Sequence, residues 1–234
     1  VVGVAPKYTV RVPANATPDP GTDAHLHLID ENHRFVIEMW NIKKRADGDF
    51  QSPWIVQNDL QGTGIGKGVR AYGGSAIGGQ IARGELTNGI PHALAAAIQR
   101  GAMNKNGPNG KPYMWPAVMA DSGYETSYLN TGNVFMGSLL AIPQNVDITK
   151  LGVGTSGHVY NIAKALQTYG LYITDALNIA NIGFNMDPTA CNELAGLDVL
   201  GKDWSSIVIP LLKVVTNNGA QSVGGGGTPV APLA

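Results

Sequence analysis

One cysteine, Cys191, stands in 234 residues, so no disulfide can close within the chain and packing alone must hold it together. Cys191 has no basic neighbour in sequence and reads as a small buried hydrophobe, not a reactive thiol. Charge is scarce too: 14% of residues are charged, 16 basic against 17 acidic, and neither sign forms a long run. A phosphate backbone is held by a basic patch, so nucleic acid is not an expected partner. No apolar run reaches the ~18 residues of a spanning helix, which argues against membrane insertion. The chain opens at Val1 with neither Met nor a basic-apolar leader. It reads as a mature or excised piece whose targeting segment lies out of view.

What the chain has in quantity is glycine, 31 residues, together with many asparagines. Turns and uncharged hydrogen-bonding groups suit a secreted, extracellular or virion-surface protein that meets neutral or weakly acidic polymers. The length fits one large all-β domain, expected over residues 1–220. Residues 221–234, with the run SVGGGGTPVAPLA, read as a flexible Gly/Pro-rich tail.

Along the chain, strands are expected over Tyr8 to Val12, Leu171 to Thr174 and within Asp203 to Val215. Residues 62–79 are so glycine-rich that they read as loop, and their GTGIGKG lacks the Lys-Ser/Thr ending of a phosphate loop. One helical turn is expected around Ala82 to Leu86. IPHALAAAI reads as a strand or a short buried helix, and PYMWPAVM as an apolar strand broken at Pro116. The clearest helix runs from Ser156, its cap, to Tyr169, with Val159, Ile162, Ala163, Leu166 and Tyr169 in one stripe and Gly170 as its stop. The expected fold class is therefore mainly β, an antiparallel β-sandwich or jelly-roll-like pair of sheets with one packed α-helix and long Gly-rich loops.

The segment GTDAHLHLIDENHRFVIEMW, residues 21–40, carries the sharpest functional signal. Leu26 and Leu28 alternate with His25 and His27, and Phe35, Ile37 and Met39 alternate with Val36, Glu38 and Trp40, which predicts a hairpin with one apolar and one polar face. A four-residue loop at Asp30 to His33 would pair Ile29 with Arg34, His27 with Val36, His25 with Glu38 and Asp23 with Trp40.

Short blocks spread over residues 8–210 resemble a family of secreted bacterial proteins of uncharacterised function. They are Asp23-Ala24-His25, Ile37-Glu38-Met39-Trp40, Ile90-Pro91-His92-Ala93-Leu94, Tyr113-Met114-Trp115-Pro116-Ala117, Met136-Gly137, and Ala165-Leu166 with Tyr169-Gly170, followed by a strand ending in Asp175. The chain departs from that pattern at His27, where the family has an apolar residue, and at Pro91, where it has a basic one. Val118-Met119 stands in place of an Arg-His pair.

Three readings compete for the polar face. In the first, an extracellular polysaccharide-degrading enzyme, lyase or glycoside hydrolase, uses Glu38 as acid or base and His25 to orient it or share its proton. His92, Asp175 and Tyr124 are further catalytic candidates; Trp40, Trp115, Asp121 and Tyr128 are substrate-binding candidates. A non-catalytic glycan-binding adhesin, such as a phage tail-fibre tip domain, would need the aromatics and amides alone. In the second reading, His25, His27 and Glu38 hold a divalent metal in a cupin-like manner; the other readings require no cofactor. In the third, His25 and Glu38 are an ordinary polar pair on a half-buried sheet face.

Overall fold

The computed structural model describes residues 10, 12–194 and 204–227. The chain is mainly β, as expected, with one long helix packed on its sheets. In chain order come β1 (Leu26–Ile29), β2 (Phe35–Trp40), β3 (Lys43–Lys44), β4 (Phe50–Gln51), β5 (Trp54–Asp59), α1 (Glu85–Asn88) and β6 (Leu94–Gln99). They are followed by α2 (Tyr124–Ser127), β7 (Leu139–Ala141), α3 (His158–Thr168), β8 (Leu171–Leu177), β9 (Ile182–Phe184), α4 (Pro188–Glu193) and β10 (Lys213–Val214). One sheet has the order β1-β2-β5 and is antiparallel throughout; the larger has the order β10-β7-β8-β6-β9, and its central pair, β6 with β8, runs parallel. Among the described residues no helix is long and apolar enough to cross a membrane.

The hairpin of β1 and β2 forms where the alternation predicts it, but its register is displaced. Ile29 pairs with Val36, Leu28 with Ile37, His27 with Glu38 and Leu26 with Met39. The cause is local. Asp30 donates its N–H to the Phe35 carbonyl at 2.9 Å, and its carboxylate accepts the N–H groups of Arg34 and Phe35, both at 2.7 Å. The four-residue loop is thereby moved one position along, to Glu31 to Arg34, with His33 in the left-handed region at φ 53°. A loop moved by one slides the register by two, and a slide of two keeps every side chain on its face. The face assignment therefore stands, while the partner of Glu38 is His27 and not His25. Ile37, Met39 and Ile42 on the opposite face form a small core with Leu26, Leu28, Phe50 and Ile55.

The main core surrounds the larger sheet. Helix α3 begins one residue later than expected: its cap position is Gly157 in place of Ser156. Val159, Ile162, Ala163, Ala165 and Leu166 are buried and share one core with β6 and β8 residues such as Leu94, Ala96, Leu171 and Ile173. Gly170 ends the helix at φ 84°, where a Cβ would come within 2.9 Å of the Leu140 carbonyl oxygen. The segment IPHALAAAI resolves as strand β6, whose five buried positions in six suit a central parallel strand.

Between the sheets lies the glycine-rich segment of residues 62–79. It is bonded to the larger sheet by Tyr72 N–H to Thr174 O at 3.1 Å and by Ala95 N–H to Gly79 O at 2.9 Å. The glycines permit backbone to lie on backbone: a Cβ on Gly68 would sit 1.6 Å from the Gly74 carbonyl oxygen, and one on Gly74 would sit 2.2 Å from the Tyr72 ring.

Several expectations are corrected. PYMWPAVM forms no strand, and only Tyr113 bridges to Met136. The final apolar run is helical turn over Trp204–Leu211, and only Lys213–Val214 pairs as strand; Pro210 has no N–H to give a ladder. Cys191 is exposed. Residues 221–227, read as the start of the tail, fold back: Gly225 N–H bonds Ser222 O at 2.9 Å and Gly224 N–H bonds the Asn218 side chain at 3.0 Å. Residues 228–234 lie outside the described residues, as does the expected strand at 8–12 apart from Val10 and Val12.

Candidate functional site

Glu38 sits on the central strand of the small sheet and is 0% exposed. Its Oε1 accepts from Asn58 Nδ2 at 3.1 Å and from the Ser75 hydroxyl in a short bond. Its Oε2 accepts the N–H groups of Ala76 at 3.0 Å and Val69 at 3.4 Å. Asn58 comes from the neighbouring strand, and the other three donors come from the glycine-rich segment. Four donors satisfy a carboxylate, which holds about four lone-pair sites. Such a group is a staple: it binds the segment to the sheet and has no surface to offer a substrate. This geometry does not support the expected role of Glu38 as acid, base or metal ligand.

His25 and His27 share the Glu38 face with ring centroids 5.6 Å apart. Burial lowers His25 to about 4, helped by the Arg70 charge, and burial lowers His27 to about 3, helped by His25 and Arg70. Both imidazoles are neutral near pH 7, and each has a buried Nδ1 with no partner. Among the described residues no three His, Cys, Asp or Glu side chains are grouped to hold a metal ion. His92 is elsewhere, with Nε2 3.0 Å from Glu85 Oε2 beside α1. Trp115 packs edge-on against Tyr172, rings 6.2 Å apart, and Tyr172 hydrogen-bonds Asn218.

The remaining candidates do converge. Parallel pairing of β6 and β8 brings their carboxyl ends side by side, the position where sheets of parallel strands commonly bind ligands. A bulge facilitates the arrangement: Ala96 pairs with Ile173 but Ala97 with Asp175, so Thr174 is extra and Asp175 is re-aimed. Asp175 Oδ2 meets Arg70 Nη1 at 3.3 Å, each side chain 20% exposed. Burial pushes the Asp175 carboxyl above its ordinary value, and the nearby Asp121 charge adds to this, against the pull of Arg70. Asp121 is paired with Arg100, which directly follows β6, at 2.5 Å. Arg100 also donates to Asn178, just beyond β8, at 2.9 Å, and to Ser122 O at 3.3 Å. The Tyr128 hydroxyl is buried, and burial raises it, with the Asp121 and Asp175 charges adding to the rise against a backbone hydrogen bond at Asp121 and the Arg100 charge. Tyr124 packs on it at 6.0 Å.

Asp121, Tyr124, Tyr128 and Asp175 thus share one centre. Sequence reasoning missed its two cations. Arg70 was hidden in a segment read as loop, where its signal is a lone charge amid glycines. Arg100 was hidden at the end of an alanine-rich run, where a charge marks the strand terminus. Arg70 also links the two clusters, because its charge acts on His25 and His27 as well as on Asp175. The chain matches no protein-family model, no curated protein and no solved structure.

Proposed function

We propose that the protein is an extracellular carbohydrate-active protein, secreted or carried on a virion surface, that degrades a polysaccharide, and that its reactive centre is the Asp175–Asp121 cluster and not Glu38. The observation that supports this is the contrast between the two carboxyl groups. Both are half-buried and each carries an arginine, but the Asp175 carboxyl is raised, in the manner of a general acid, with Arg70 at 3.3 Å, whereas Asp121 is held more closely by Arg100, at 2.5 Å. Two carboxyl groups in unlike surroundings are what glycosidic hydrolysis requires: one protonates the leaving oxygen, and the other serves as base or nucleophile.

Hydrolysis suits the centre better than β-elimination. A lyase needs a base at neutral pH, and the Tyr128 hydroxyl is pushed away from that role by burial and by two negative charges. Arg70 pairs with Asp175, and Tyr124 is half-buried beside Tyr128. A glycan-binding protein without catalysis is the second reading, favoured by the fact that each carboxylate already carries an arginine. The test is a screen of purified protein against neutral and acidic polysaccharides. The proposal expects new reducing ends without absorbance of unsaturated uronates. Unsaturated products would instead identify a lyase, and binding without cleavage an adhesin.

A further inference from the structure

The small sheet places Trp40 directly opposite Trp54, on the face that carries Glu38 and Val56. The glycine-rich segment is bonded to Glu38 on that face, and Val36, Glu38 and Asn58 there are buried. The Trp54 end is open: Trp40 is half-buried, and Trp54 is 45% exposed. Among the residues whose side chains are described, Trp54 is the one exposed Phe, Tyr or Trp. Leaving an indole in water forgoes a large apolar burial, and here the backbone that carries it is tied down. The Ser52 hydroxyl lies 2.5 Å from the Trp40 carbonyl and 2.8 Å from the Trp54 carbonyl, and accepts the Trp54 N–H at 3.3 Å. The Trp40 indole N–H donates to Asp23 at 3.2 Å.

We infer that Trp54 and Trp40 form a subsite for the apolar face of a pyranose ring, one unit of a glycan chain. The inference rests on the carbohydrate-active reading above and adds a binding site that lies apart from the carboxylate centre. The size of the open surface decides the occupant. A protein partner needs about 800 Å² per side with an apolar core, whereas the aromatic surface at the open end of this face is the exposed Trp54 indole beside the half-buried Trp40. A flat ring bearing C–H groups on one face and hydroxyls at its edge matches an indole flanked by an exposed carboxylate, Asp23, which accepts hydroxyl hydrogen bonds.

Affinity electrophoresis through gels containing hydroxyethyl cellulose, galactomannan or polygalacturonate tests the assignment, with wild type, Trp54→Ala, Trp54→Phe and Asp175→Asn run together. At least one polymer should retard the wild type. Trp54→Ala should bind it about tenfold more weakly at an unchanged melting temperature, and Trp54→Phe should keep most of the affinity. Asp175→Asn should be retarded like the wild type, so a failure of the catalytic reading leaves this result standing. Equal retardation of Trp54→Ala and wild type, or no retardation of the wild type by any of the three polymers, would overturn the inference.

Discussion

The Ala76 backbone N–H donates to Glu38 Oε2 at 3.0 Å, joining residues 38 positions apart and tying the glycine-rich segment to the small sheet. A carboxylate in this position answers four donors at once, and an amide cannot, because its NH2 end donates. Glu38→Gln should therefore leave at least one buried N–H without an acceptor and cost about 2–4 kcal/mol of stability. Denaturant unfolding checks this. A large loss of turnover at an unchanged midpoint would return Glu38 to the catalytic group.

Gly68 meets backbone, not side chain, so no rotamer change can relieve a methyl group there. Gly68→Ala should displace the segment from Gly74 and lower the melting temperature strongly. Gly219→Ala, where a Cβ meets nothing within 4 Å, should stay within about 0.5 kcal/mol of wild type. Equal melting temperatures for the two variants would show that the segment does not lie as described.

The buried histidines give stability a defined dependence on pH. Their folded values of about 4 and about 3 lie below the ordinary 6.5, so the unfolded chain takes up protons first. Their contribution is complete above about pH 6.5. It is lost as pH falls, down to about 4 for His25 and about 3 for His27, at about 1.4 kcal/mol per pH unit for each residue. Asp175 acts in the opposite sense, since its raised value lets the folded chain keep a proton longer. Urea midpoints between about pH 7 and pH 5 should fall less steeply in His27→Gln than in wild type. Parallel lines for the two proteins would contradict the burial of His27.

How much was legible follows from the range of each interaction. The period of two along β1 and β2 fixed which side chains share a face, because that pattern is local. The register was not legible, since it depends on the Asp30 side chain closing the turn. The importance of Glu38 showed as a charge among apolar residues, but its role did not, because three of its donors lie 31 to 38 positions away in a segment with no periodicity. Asp121, Tyr124, Tyr128 and Asp175 were each recognisable as reactive types. Their convergence was hidden, because it arises from parallel pairing of strands separated by α3 and from an arginine 105 positions before Asp175.

The most direct measurement is the turnover of a susceptible polysaccharide by Asp175→Asn, read as reducing ends, with polymer binding and melting temperature measured on the same sample. Asparagine keeps the shape and removes the proton that the centre is proposed to donate. The account predicts a fall of roughly 10²–10⁴-fold in turnover with polymer binding retained. Turnover equal to wild type would contradict it and leave the Asp175–Arg70 pair as a structural link between loop and sheet.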